Sequence, residues 1–425
     1  MSRSTATATS EVALASQMLD DWIEKEGFLG WDPHDALNSP VLRGIARQNR
    51  FLGIALLQFL RRSPINLRRL LKVRKGYNPK AMGLFLKNYA DKFFSTHNVI
   101  HLRRVQFFSE WLLEHSTPGF AGPCWGYNFD WPNRGFFAPA GTPTVVNTAF
   151  IALSFLDAEA ALNCSSNLSG SGTAGSAQAE REQTPESSVD ALSVARGACE
   201  FILRDLNVLR AGASQICFSY TPLDRRFVHN ANLLGAWLLA AVYARTGEKV
   251  LAERATEAAR FSVRCQRLDG SWPYGTATRD RWVDNFHTGY VLMSLRHIGR
   301  CLKTDEFEGA TSKGYEFWKE RMFLANSIPK YYPEKVYPID VHCVAQAILT
   351  FLEFADCDPE ATRRAWRLAL WAVKHMQDPS GFFYYQVCRN YKNRTPYMRW
   401  SQAWVQRALT ALNTHRSLGL VASET

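Results

Sequence analysis

The sequence predicts an all-α fold, six helical hairpins closed into an (α/α)6 toroid, and three observations predict it. Helical periodicity dominates the chain. Amphipathic helices alternate with more apolar ones. An aromatic, turn-rich stretch also runs repeatedly into an apolar helix: at GTPTVVNTAF around Asn147, RRFVHNANLL around Asn230, RWVDNFHTGY around Asp284 and His287, VYPIDVHCVA around Asp340 and His342, and YMRWSQAWVQ around Ser401. The last four junctions lie about 54 to 60 residues apart, a period that marks repeat architecture. The first gap is longer because it holds an insert.

In order, outer-type amphipathic helices are expected over 42–61, 101–115, 189–206, 249–266, 307–321 and 360–377. Each is followed by a more apolar, inner-type helix, over 79–95, 143–162, 229–245, 284–302, 340–355 and 399–415. LLGAWLLAAVYA, apolar all round, suits a helix buried on both sides. Residues 1–40 form a leading segment with one helix, expected to cover the barrel end, and 41–425 a single toroid. The low-complexity stretch from Cys164 to Ser188 is expected to be a disordered insert.

Composition narrows the class. Hydrophobic residues at 46% and charged residues at 21% supply core enough for one large globular domain. The first dozen residues lack an apolar signal core. The longest apolar run, Leu233 to Ala244, is too short for a bilayer. Nine scattered cysteines without a Cys-x-x-Cys pair suit reduced thiols and a cytoplasmic chain. The net charge is +11, with Arg61, Arg62, Arg68, Arg69, Lys72, Arg74 and Lys75 close together. That cluster fits a solvated helix face, a membrane surface or a nucleic-acid patch. Nucleic acid is not expected, since no recognition module organises the charge.

The loops differ in length. Connections between hairpins are short (RTGEK, KTDE, ADCDPE). Those inside hairpins are long and aromatic, such as GPCWGYNFDWPNRGFFAPAG and LDGSWPYGTATRDRW. One end of the toroid is therefore trimmed, and the other carries the loops on which function usually resides.

Gln266 to Trp272 fits the Gln-x-x-x-Gly-x-Trp repeat of terpenoid cyclases and protein prenyltransferases, and Gln377 to Phe383 is a weaker copy. The chain resembles the α/α-toroid superfamily, which those enzymes share with six-hairpin glycosidases, polysaccharide lyases and sugar epimerases. With its CWGYNFDW and FHTGY motifs it also resembles an uncharacterised bacterial family found among polysaccharide-assembly genes. The resemblance covers about residues 80–415, and implies a carbohydrate-active toroid. The Gln-x-x-x-Gly-x-Trp motif is structural in these families. The chain departs from the prenyl enzymes. No Asp-x-Asp-Asp is present, and Asp20, Asp21 and Glu24 fall on the leading helix. Asp340-x-His342 is not followed by the histidine a zinc site would need; Ser401 and Gln402 stand there instead.

The long loops feed the inner helix N-termini, whose free amides and dipoles favour anions. Arg134, Arg281 and Arg399 are candidate anion contacts. Trp125, Tyr127, Trp272 and Trp400 offer flat faces for sugar rings, with Asp130 and Asn230 as polar contacts. His229, His287 and His342 are the proton-transfer candidates, with Asp284 and Asp340 as orienting or acid residues and Tyr274 as donor. The alternative for Asn147, Asn230, Asp284 and Asp340 is helix capping. Asp284, His287, Asp340 and His342 match no zinc signature, so no metal and no cofactor are expected. This set suits an enzyme abstracting a proton beside the carboxylate of an anionic, uronate-containing glycan, as lyases and epimerases do. An inverting glycoside hydrolase, a terpenoid or prenyl enzyme and a noncatalytic glycan-binding assembly protein are the alternatives.

Overall fold

The computed structural model describes residues 3–46, 49–132, 137–169 and 189–424. Fourteen α-helices appear among them: α1 (Arg3–Lys25), α2 (Pro40–Ala46), α3 (Arg50–Arg62), α4 (Pro79–Thr96), α5 (Val99–Glu114), α6 (Val145–Ser169), α7 (Ala191–Arg204), α8 (His229–Thr246), α9 (Lys249–Arg264), α10 (Asn285–Leu302), α11 (Glu308–Arg321), α12 (Val341–Glu353), α13 (Ala361–Met376) and α14 (Trp404–Glu424). Helices α4, α6, α8, α10, α12 and α14 each pack on the next, and α14 returns to α4, closing an inner ring. Helices α5, α7, α9, α11, α13 and α1 surround it. The fold is the all-α toroid that the periodicity predicts.

Burial separates the two rings. In α8, twelve of eighteen residues are buried, because an inner helix has neighbours on every side. Val145–Cys164 of α6 is apolar and long enough to cross a membrane, yet 78% of it is buried inside the ring. Outer helices such as α9 and α13 bury only a stripe of Leu, Ala and Phe or Met.

The first hairpin differs from expectation. The stretch 42–61 is not an outer helix; α1 holds that place, packed on α13 and α14. Its residues Val12, Leu19 and Ile23 belong to the main core. The glutamine motif shows the same thing. Gln266 donates to Gly270 O and to Ala310 O of α11, both at 2.9 Å. Gln377 donates to Gly381 O at 3.0 Å and to Ala15 O of α1 at 2.8 Å. Thus α1 follows α13 as α11 follows α9. The sequence was misleading because α2 and α3 are helical and amphipathic, but they lie within the long connection from α1 to α4. Of the insert expected from Cys164 to Ser188, the part up to Ser169 belongs to α6, and 170–188 fall outside the described residues.

Five of the six inner helices are locked to the next hairpin by one backbone bond; α4 opens with Pro79, which has no amide hydrogen to give. The amides of Val145, His229, Asn285 and Val341 donate to the carbonyls of Tyr220, Tyr274, Tyr331 and Tyr385, at 3.0 to 3.1 Å. Met398, opening a π-helical turn (Met398–Ala403) before α14, donates to Trp31 O at 3.0 Å. Side chains take further first-turn amides. Asn78 accepts from Lys80 N, Thr144 Oγ1 from Asn147 N, Asp284 from His287 N and Asp340 from His342 N. Asp284 and Asp340 are therefore true caps, whereas Asn147 and Asn230 lie inside their helices. The free amides expected to attract anions are largely occupied.

Candidate active site

The long loops surround a cavity of about 630 Å³ at the mouth. A depression of about 740 Å³ lies at the trimmed end, but its walls are ion pairs such as Arg296–Asp356 at 2.6 Å. The mouth cavity is where imidazole, phenol, guanidinium and amine groups converge.

Its inner wall follows from the backbone lock. The residue after each locked amide is the second of its helix or helical turn: Val146, Asn230, Phe286, His342 and Arg399. Lys80 holds the matching place in α4, after Pro79. All six line the cavity. His287 and Tyr290 of α10 join them from one and four residues further on. Loops add Tyr127, Tyr220, Tyr274, Trp282, Tyr331 and Tyr332, and α3 crosses the opening with Ile54, Leu57, Gln58 and Arg61.

His287 and Asp284 form a dyad. Asp284 is buried. Its Oδ1 caps the His287 amide at 2.9 Å and its Oδ2 meets His287 Nδ1 at 2.7 Å. A carboxylate next to Nδ1 holds the hydrogen there and leaves Nε2 as the basic nitrogen. Tyr274, stacked on Trp282 with centroids 4.2 Å apart, and Phe286 hold the ring in place.

His342 is arranged differently. Its Nδ1 faces Trp400 O at 3.2 Å; a carbonyl only accepts, so Nδ1 carries the hydrogen. Nε2 then accepts from Tyr290 Oη at 2.6 Å. Burial, and then the charge of Lys80, pushes the imidazole pKa well below its ordinary value, so it stays neutral. Burial raises the Tyr290 phenol well above its own. Tyr290 is thus a proton donor backed by a neutral imidazole.

The cations fall into two groups. Arg399 is clamped by Asp32 in a buried bidentate pair at 2.6 and 2.8 Å, over the Tyr127 ring. Burial would raise the Asp32 carboxyl, but the Arg399 charge and hydrogen bond outweigh it and hold the pKa below the ordinary value. Arg226 is likewise paired with Asp280, at 2.7 and 3.0 Å. Arg61 and Lys80 have no carboxylate within ion-pair distance among the described residues. Lys80 sits against Phe150, Trp404 and Tyr290, its Nζ 4.1 to 5.5 Å from the ring centroids. Burial, then Arg399, holds its pKa well below the ordinary amine value.

Of the residues singled out in the sequence, Tyr127, Asn230, Tyr274, His287, His342, Arg399 and Trp400 line the cavity. Others are placed elsewhere. Asp340 is fully buried and accepts from His342 N, Trp400 Nε1 and Gln386 Nε2 at 2.8 to 2.9 Å. Burial raises its pKa to about 6 despite those donors. His229 lies off the main cavity in a small side pocket, where burial alone lowers its pKa to about 4. Trp125 and Trp272 are core residues, their indoles donating to Leu112 O and Ser262 O. Asp130 pairs with Arg43 at 2.8 Å on the rim. Arg281 is exposed, its carbonyl held by Arg267. Arg134 lies outside the described residues. No three His, Cys, Asp or Glu among the described residues gather as a metal site would require.

The sequence reading missed Lys80, Tyr290, Arg61 and His34. Asn78 and Lys80 repeat the cap-plus-two spacing of Asp340 and His342, so GYNPKAM was a sixth junction. Tyr290 follows His287 by three residues, hence on the same face. Arg61 and His34 enter through the 26–78 connection and carry no periodic signal. Burial lowers the His34 pKa to about 3.

No protein-family model and no curated protein matches the chain. Solved structures do. Cellobiose 2-epimerase from Bacillus thermoamylovorans superposes with a TM-score of 0.60 at 10% identity, over 81% of this chain and 90% of that one. Lin0763 from Listeria innocua gives 0.57 at 10%, over 97% and 98%. An unsaturated glucuronyl hydrolase specific for heparin gives 0.55 at 11%, over 82% and 89%. The chain is an α/α toroid. At such identities the likeness establishes the fold, and the toroid's chemistry has to be argued from its own cavity.

Proposed function

We propose that this toroid is an enzyme that binds an anionic, uronate-bearing saccharide at its mouth and moves the proton on the carbon beside the carboxylate. The observation that carries this reading is the Asp284–His287 dyad, whose free imidazole nitrogen shares a cavity with the Arg61 guanidinium and the Lys80 amine, neither with a carboxylate partner among the described residues. A substrate carboxylate would pair with the guanidinium and restore the charge that burial denies Lys80. Neutralised in this way, the carboxylate acidifies the adjoining C–H. His287 Nε2 takes that proton, and Tyr290, backed by His342, returns one or protonates a leaving oxygen. Return of the proton gives epimerisation; loss of the oxygen gives elimination. The saccharide-processing toroids of like fold, epimerases and a glucuronyl hydrolase among them, support a sugar substrate.

Inverting hydrolysis fits less well. It needs two carboxylates with a water between them. Among the described lining residues only Asp280 is acidic, and Arg226 occupies it.

The test is incubation with uronate oligosaccharides in D2O. The reading expects deuterium at C5, or a 4,5-unsaturated product, with both absent in His287→Ala. New reducing ends without either signal would assign hydrolysis instead. No change in any saccharide, together with retained binding, would leave a glycan-binding protein.

A further inference from the structure

The connection from α1 to α4 has a second face. No acidic residue occurs between Asp35 and Asp91, while ten Lys and Arg fall between Arg43 and Lys75. Within it, α3 presents Leu57 and Leu60 inward, and Ile54, Gln58 and Arg61 to the cavity. The opposite side should be polar in an ordinary surface helix. Instead Phe51 is 65% exposed and Phe59 59% exposed, with Leu52 and Ala55 completing the face. The turn that follows exposes Ile65 and Leu70 as well. Arg62, Arg69, Lys72 and Arg74 of the same connection are exposed as well.

We propose that this face docks the protein on an anionic lipid bilayer, laying α3 in the interface with the mouth of the toroid beneath it. Large apolar side chains accompanied by cations and free of acids are what an interfacial helix needs. The rings enter the boundary between headgroups and acyl chains, and the cations meet lipid phosphates and carboxylates. Charge complementarity selects an anionic membrane over a second copy of this basic chain, because two such faces would repel each other. Since α3 both forms the docking face and crosses the cavity opening, membrane contact and access to the cavity share one element. The inference is independent of the reaction assigned above.

The experiment is vesicle flotation of the full-length protein. Neutral phosphatidylcholine vesicles are compared with vesicles in which about a third of the lipid is phosphatidylglycerol. Binding to the anionic vesicles is expected to be at least roughly tenfold stronger, and to weaken as salt rises from about 0.1 to about 0.5 M. Phe59→Glu with Leu70→Glu is expected to abolish it, while circular dichroism and thermal melting stay as in the parent. Arg69→Gln with Lys72→Gln and Arg74→Gln is expected to remove most of the salt dependence. Equal or absent binding to both vesicle types overturns the proposal, as does undiminished flotation of the glutamate variant. Dimerisation seen by light scattering and lost in that same variant also overturns it, and assigns the face to a second copy.

Discussion

Two inner helices, α10 and α12, begin alike and end up chemically unlike. Each is capped by a buried aspartate, with a histidine in its first turn. At α10 the histidine is three residues after the cap, so Asp284 reaches both its amide and its ring. At α12 the spacing is two. Asp340 reaches the His342 amide but gives its remaining capacity to Trp400 and Gln386, and the imidazole turns to Trp400 O and Tyr290. One residue of spacing separates an imidazole held by a carboxylate from a neutral imidazole that accepts from a phenol. A cap is therefore no evidence for or against catalysis; where its second oxygen points decides.

Substitutions can break or sharpen this contrast. The largest effect is expected at α10. Asp284→Asn keeps an oxygen for the cap but removes the acceptor of Nδ1–H. It and His287→Ala should each slow deuterium exchange by roughly 10²- to 10⁴-fold, with melting temperature nearly unchanged for the asparagine variant. A loss below threefold would place the base elsewhere. Tyr290→Phe should cost roughly 10²-fold, because His342 alone has no hydrogen at Nε2 to give. If His342 were the direct acid, this variant would stay active.

His229, at the start of α8, has no carboxylate at hydrogen-bond distance among the described residues, and sharpens the contrast through pH. Its folded pKa of about 4 lies below the unfolded value of about 6.5. Its contribution to stability is therefore complete above pH 6.5 and is lost as pH falls toward 4, by about 3 kcal/mol over that window. Denaturant titrations of His229→Asn should lack this share of the acid-side decline. The smallest effect is expected for Asp340→Asn. The amide keeps the oxygen facing His342 N and Trp400 Nε1, and Gln386 can turn its own amide to match. Stability below pH 4, where the carboxyl is neutral, should move by no more than about 1 kcal/mol, and exchange at pH 7 by only a few fold. The Asp340 pKa is raised to about 6, so its contribution is present below the unfolded value near 3.8 and lost as pH rises through 6. The asparagine variant should lack that change. A collapse of activity would make Asp340 a participant rather than a cap.

The all-α ring and the end that carries the long loops were legible in the sequence because each rests on local pattern. Apolar periodicity marks an inner helix, and loop length marks an end. Half of the candidate site was legible for the same reason: Asn230, His287, His342 and Arg399 stand beside helix starts. The errors came where local pattern has two meanings. Trp125 and Trp272 look like sugar platforms in an aromatic loop, and only burial shows them to be core. Amphipathic α3 reads as an outer helix until α1 is seen to hold that place. Arg61 and His34 reach the cavity through tertiary contact alone, and Asp32 finds Arg399 across 367 positions.

The bonds that join hairpin to hairpin at the mouth run between main-chain amides and main-chain carbonyls. Any residue but proline can supply both. Geometry and side-chain chemistry are thereby uncoupled at five of the six places that face the cavity; α4 starts with Pro79 and has no such bond. An asparagine, a histidine or an arginine can occupy such a place without loosening the barrel. A scaffold so constructed can exchange its reactive groups one at a time and remain closed throughout.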